Sequence, residues 1–181
     1  MNKQCLATLK ERGIDCDRGL TFKEVAKIED IYKISFPESL RDLLMEVLPV
    51  SEGFYNWRDV NEDNVAFIKE RINWPVTHIF SRTNEVYWCD DWGNEPKNVH
   101  KRELVIKQHL ENAPKLIPIY AHRYMPMIAD KNPPIISVHG TDIIYYGENI
   151  EDYIAIEFGE KKQCAIDFQN IRPIRFWTEI M

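Results

Sequence analysis

The chain has 181 residues, of which 44% are hydrophobic and 29% charged, and this balance fits a single domain with a substantial core. No apolar run approaches the roughly 18 residues of a membrane-spanning helix, and the N-terminus becomes charged too early for a signal peptide, so we expect a cytoplasmic protein. The net charge of −6, without a basic stripe, argues against direct binding of nucleic acid and favours a basic partner.

The first part of the chain is predicted to be helical. Residues 2–13 are typical of a short helix that Gly13 ends. Thr21 and Glu24 form a capping box, which predicts a second helix over residues 21–32.

Two further helices are predicted before residue 75. Pro37 suits the first turn of a helix that Pro49 ends. Its apolar stripe has the spacing of a buried helix face and consists of Leu40, Leu43, Leu44, Val47 and Leu48. The next helix is expected over about residues 62–72, and Pro75 is expected to end it.

The middle and the end of the chain are predicted to form strands around one more helix. Val86, Tyr87 and Trp88 favour a strand, and a helix is expected over about residues 96–112 with Val99 on its apolar side. The segments "KLIPIYA", "MPMIAD", "PIISV" and "DIIYY" are short, apolar and separated by turn residues, which is typical of strands. Ile143 and Tyr145 should then point one way, and Ile144 and Tyr146 the other.

A final helix is predicted from Asn149, which suits a helix cap, to Gly159. Helices first and strands later indicate a single α+β domain, with N-terminal helices packed against a central, mostly antiparallel sheet. One core should bury a set of apolar side chains from both halves. That set is Leu43, Leu44, Val47, Ile119, Ile136, Ile144 and Phe158.

Motifs for catalysis and for cofactors do not occur in the sequence. The glycines form neither GxxxxGK[ST] nor GxGxxG, and GxSxG and HExxH do not occur. The four cysteines form no CxxC pair and no histidines cluster near them, so we expect reduced, mostly buried thiols and no metal site. We predict no cofactor and no catalytic residue, and an enzyme would have to be assembled from scattered side chains.

Two such assemblies are conceivable, and each has a structural alternative. In "HGTD", Asp142 could orient His139 as a general base, or the pair could simply flank a strand-ending turn. In "YAHRYMP", His122 and Arg123 could form an anion site, or an exposed strand end.

Aromatic and acidic residues occur together in two segments that could contact a protein partner. In "WCDDWG", the tryptophans could anchor a loop to the core or join the acids in an exposed patch. The chain has no Lys or Arg from His139 to Glu160, where a solvated helix face is the alternative to a partner surface. The candidate partner-binding residues are Trp88, Asp90, Asp91, Trp92, Asp142, Tyr145, Tyr146, Glu148, Glu151 and Asp152.

Three stretches together resemble the SUKH superfamily, the Smi/Knr-like proteins. They are "LTFKEVAKIEDIYKISFPESLRDLL", "LIPIYAHRYMP" and "PIISVHGTDIIYYGENIEDYIAIEF", and "INWP" and "WCDDWG" look like features of one bacterial subgroup. The resemblance covers residues 20–158 and leaves an N-terminal helical extension and a C-terminal tail outside it. Within the covered range, the Trp-rich segment is a feature that many members lack. It implies an α+β fold and a binding role, without catalytic residues.

The function that this resemblance implies is that of an immunity protein, which neutralises a bacterial toxin such as a nuclease by direct binding. The alternatives are a regulatory interaction module without a toxin partner and, third, an uncharacterised enzyme. If the acids of the last helix contact a basic partner, reversing Glu148, Glu151 and Asp152 to Lys should slow association while the fold survives.

Overall fold

A four-stranded antiparallel sheet separates two apolar layers in the computed structural model, which describes residues 3–181. The helices are α1 (Lys3–Glu11), α2 (Phe22–Tyr32), α3 (Glu38–Glu46), α4 (Glu62–Ser81), α5 (Val99–Glu111) and α6 (Ile150–Glu157). The strands are β1 (Cys16–Arg18), β2 (Val47–Pro49), β3 (Leu116–Tyr120), β4 (Arg123–Pro126), β5 (Ile135–His139) and β6 (Asp142–Gly147). The predicted α+β fold is confirmed.

The sheet order is β3-β4-β5-β6, and every neighbouring pair is antiparallel. Because side chains alternate across a strand, successive residues of β5 enter opposite layers. Ile135 lies in what we call the first core, with α1, α2, α3, α6 and the first half of α4. Ile136 lies in the second core, with the second half of α4, α5 and the C-terminal segment. The prediction of one continuous core is therefore wrong.

Several local predictions are confirmed because their signals lie within a few residues. Thr21 and Glu24 form the capping box of α2 in both directions. The Asn149 side chain accepts a hydrogen bond from the Asp152 backbone N–H at the start of α6. Gly13 follows α1 with a φ of 69°, a conformation that glycine adopts easily. Asn2, the first residue of the predicted helix, lies outside the described residues.

Other predictions are wrong where tertiary contacts override local signals. The helix that Pro37 begins is α3, which ends at Glu46, and Val47 starts β2 before Pro49 is reached. The segment around Tyr87 is a loop, and β4 begins at Arg123, so it covers only the first residues of "MPMIAD". Val99, expected on the apolar side of its helix, and Ile144, expected in the core, are exposed, at 69% and 42%.

The main difference concerns α4, which continues through Pro75 to Ser81. Proline has no N–H, so the Arg71 carbonyl lacks its usual helical donor. The Tyr124 hydroxyl donates to that carbonyl oxygen at 3.3 Å, from a side chain that is 1% exposed. Burial also raises the pKa of Tyr124, which keeps the hydroxyl protonated. The β4 tyrosine therefore supplies the hydrogen bond that proline removes.

The C-terminal segment closes the second core. Ile174, Phe176, Trp177 and Ile180 are all buried there. The Trp177 indole N–H donates to the Pro114 carbonyl at 2.9 Å, which ties this segment to the start of β3. Within residues 3–181, no helix is long and apolar enough to cross a membrane.

Candidate functional site

The loop between α4 and α5 is fixed to the second core by both of its tryptophans. Trp88 is 9% exposed, and its indole N–H donates to the Gly93 carbonyl at 2.8 Å. Trp92 stacks on His109, with ring centroids 4.4 Å apart, and its indole N–H donates to Glu179 at 2.9 Å. Both tryptophans of "WCDDWG" therefore anchor the loop to the core, which is one of the two interpretations offered by the sequence.

The same loop presents its remaining side chains to solvent. Asp90 and Asp91 are exposed in a short 3₁₀ helix between the tryptophans. Tyr87 is 63% exposed, although it lies between two buried residues, Val86 and Trp88. Arg102 of α5 also holds the loop, because its guanidinium donates a hydrogen bond to the Val86 carbonyl at 2.5 Å. The loop is therefore fixed, and it exposes the side chains of Tyr87, Asp90 and Asp91 to solvent.

Tyr145 and Tyr146 lie on opposite faces of β6, as predicted. Tyr145 packs against the second core. The Tyr146 ring covers a guanidinium, with Arg123 Cζ 3.7 Å from the ring centroid. Arg123 also pairs with Glu157 at 2.9 Å and donates to the Ser137 hydroxyl at 2.9 Å. Arg123 is thus held within the protein and forms no anion site with His122.

The acids of the α6 region are held by internal contacts. Lys161, which directly follows the run without Lys or Arg from His139 to Glu160, pairs with both Glu148 and Asp152. Asp152 is 11% exposed at its side chain and accepts a hydrogen bond from the Glu148 backbone N–H. Glu151 accepts a hydrogen bond from Asn132.

The solvated helix face is therefore the wrong description for these acids, and we now expect their reversal to Lys to destabilise the fold. Reversal would place a new ammonium against Lys161 and remove the acceptors of several hydrogen bonds. A partner-binding role for Asp142, Glu148, Glu151 and Asp152 stays a prediction, and of these four side chains Asp142 is exposed while the others are half-buried.

His139 and Asp142 face each other across the two-residue turn between β5 and β6. Gly140 in that turn has a φ of 70°, which favours glycine. The backbone of "HGTD" therefore forms a strand-ending turn, which is the structural alternative predicted for this segment. His139 approaches a second histidine, since its ring centroid lies 5.8 Å from that of His122.

An open cleft lies where these two histidines meet α4, and its volume is about 410 Å³. Arg71, Phe67 and Trp74 line it from the helix, and His122 and His139 from the strand turns. Burial, with Arg123 and His139 nearby, lowers the pKa of His122. The sequence did not reveal this cleft, because α4 was expected to end at about residue 72. The signal available in the sequence was the apolar residues, which continue at helical spacing beyond Pro75.

The exposure of the cysteines differs from the expectation. All four cysteines are free, but Cys16 and Cys164 are exposed, so the expectation of mostly buried thiols is wrong. Within residues 3–181 no three His, Cys, Asp or Glu side chains are arranged to hold a metal ion.

Comparisons with protein-family models, with curated proteins and with solved structures gave no match to this chain.

Proposed function

We propose that the protein is a non-enzymatic, cytoplasmic binding module of the SUKH type that acts as an immunity protein. It would neutralise a basic toxin domain, such as a nuclease, by direct contact. The observation that carries this proposal is the fixed loop between α4 and α5, with exposed Tyr87 between buried Val86 and Trp88 and with exposed Asp90 and Asp91.

A fixed loop favours tight binding because little conformational entropy is lost when the partner docks. Trp88 and Trp92 hold the loop from the core side, and Arg102 holds it from α5. An exposed tyrosine offers a large contact area with few rotatable bonds, and aromatic residues are enriched among the side chains that dominate interface energies.

Charge supports the choice of a basic partner. The chain has 29 acidic and 23 basic residues, and the loop adds two exposed carboxylates beside its aromatic contact. Opposite charges on the partner would speed the encounter, and this effect would weaken as salt screens it.

The test is capture from the native cell with the tagged chain, at low and at high salt. We expect a basic protein to be retained by the native chain and lost by the variant Tyr87→Ala with Asp90→Lys and Asp91→Lys. The control variant Asp42→Lys with Glu46→Lys makes the same change of charge at exposed positions of α3 and should retain the partner. Equal retention by both variants would reject the loop as the contact surface.

A second measurement separates an immunity protein from a regulator. The captured partner is expressed alone and together with this chain. Growth arrest by the partner alone, relieved by the native chain and not by the loop variant, supports immunity. A partner that is harmless alone supports the regulatory module instead.

A further inference from the structure

The cleft beside α4 is lined on one side by part of a half-exposed stripe of that helix, namely Phe67, Arg71 and Trp74. Phe67, Arg71, Trp74 and His78 recur at the spacing of one helix face, next to the buried stripe that ends at Ile79. The Arg71 guanidinium lies 5.2 Å from the Phe67 ring centroid, and the Trp74 and His78 rings stack at 4.7 Å. The stripe thus offers a cation between two aromatic surfaces.

The opposite wall includes two tight strand turns that other contacts hold in place, and residues 53–55 also line it. Ala121, between β3 and β4, has a φ of 46°, which is a costly conformation for a residue with a Cβ. Its N–H donates to the Gly53 carbonyl at 2.8 Å, and its carbonyl accepts from the Tyr55 hydroxyl at 2.6 Å. Burial raises the pKa of Tyr55 to about 12, so this hydroxyl stays a donor.

The second turn is held against the same helix. A Cβ on Gly140 would lie 3.1 Å from His78 Nε2, so the β5–β6 turn packs closely on α4. Tyr124, at the floor of the cleft, bonds the backbone of Arg71 itself. The position of Arg71 is therefore set by the sheet as well as by the helix.

The charges of the cleft differ from those of the whole protein. The chain is acidic, but the lining contains the cation Arg71 and no carboxylate. His122 and His139 add imidazoles that can donate N–H hydrogen bonds, and the lowered pKa of His122 favours its neutral form. Glu70 lies 3.8 Å from Arg71, with its own side chain 64% exposed, which is a weak surface contact. Asp142, across the turn from His139, is exposed to water. The cleft is therefore suited to an anionic group.

We propose that this cleft binds a small molecule that joins a planar aromatic ring to a phosphate group, of the class of nucleoside monophosphates. Arg71, His122 and His139 receive the phosphate, and the rings of Phe67 and Trp74 receive the base. The volume of about 410 Å³ lies in the range of small-molecule sites, and corresponds to about a dozen waters of roughly 30 Å³ each. A free phosphate ion would leave most of it unfilled.

Calorimetric titration of the full chain tests this proposal, with AMP and UMP as probes. Adenosine carries the ring without the charge, and inorganic phosphate carries the charge without the ring. We expect AMP or UMP to bind at least tenfold more tightly than either part alone. Arg71→Ala and Phe67→Ala should each weaken that binding at least tenfold. Arg41→Ala, a control in α3, should change it less than twofold.

Several results would overturn the proposal. One is the absence of binding by both nucleotides at millimolar concentration. Another is equal binding of AMP and inorganic phosphate, which would indicate a simple anion site. A third is an equal loss in the Arg41 and Arg71 variants, which would indicate attraction by overall charge. The titration involves no protein partner, so its outcome is independent of the proposed immunity function.

Discussion

Replacing Tyr124 by Phe should destabilise the protein through a single hydrogen bond. The ring stays buried in the second core, but the hydroxyl that serves the Arg71 carbonyl is lost. Leaving a buried acceptor without its donor costs about 1–3 kcal/mol, and the donor–acceptor distance of 3.3 Å places this bond in the lower half of that range. We expect a loss of about 1–2 kcal/mol in the free energy of unfolding, measured by urea titration.

A second buried tyrosine gives the matched control. The Tyr153 hydroxyl is buried and has no hydrogen-bond partner among the described residues. Its replacement by Phe removes an unsatisfied polar group, so stability should stay the same or rise by up to about 1 kcal/mol. If Tyr153→Phe costs as much as Tyr124→Phe, the loss reflects packing of the ring edge, and the hydrogen-bond argument fails.

Replacing Pro75 by Ala tests the reason for the hydrogen bond. Alanine restores an N–H four residues after Arg71, so the carbonyl no longer depends on Tyr124. In that background, Tyr124→Phe should cost about 1 kcal/mol less than it does in the native chain. An equal cost in both backgrounds would refute the claim that the tyrosine replaces the missing helical donor.

Three further predictions concern the rest of the molecule. Gly19→Ala should cost about 3 kcal/mol or more in urea unfolding, because the new Cβ would lie 1.8 Å from the Met45 carbonyl oxygen. Asp152→Lys should cost about 2 kcal/mol, since it opposes Lys161 and leaves a backbone N–H unpaired; an unchanged urea midpoint would show that the pair contributes nothing. Because burial lowers the pKa of His122, this imidazole takes up a proton at a higher pH in the unfolded chain than in the folded one. Stability should therefore fall as the pH drops below about 6.5. His122→Asn should lessen that fall in thermal unfolding measured at pH 7 and pH 5.

The parts of the fold that the sequence predicts are those with local causes. Thr21 with Glu24 and the Asn149 cap each act within three residues, and these helix starts are correct. The end of α4 could not be found in this way. Pro75 normally ends a helix, and the tyrosine that permits its continuation bonds a residue 53 positions away. Only the folded chain brings that hydroxyl to the helix.

The candidate sites show the same limit. The run from His139 to Glu160 contains no cation, so its acids looked free, but Lys161 follows immediately and binds two of them. For the loop between α4 and α5, Asp90 and Asp91 are exposed, and their predicted role in binding a partner stays a prediction. The sequence left open whether Trp88 and Trp92 anchor the loop to the core or join a partner surface, and it did not single out Tyr87, whose side chain is the exposed aromatic one.

The path of α4 has a consequence for how the molecule unfolds. Ile68 and Ile72 belong to the first core and Ile79 belongs to the second, so one continuous helix has a face in each. Neither layer can open widely without disturbing the helix that the other layer needs. The two layers should therefore melt in one cooperative transition, with the amides of α4 among the last to exchange with solvent.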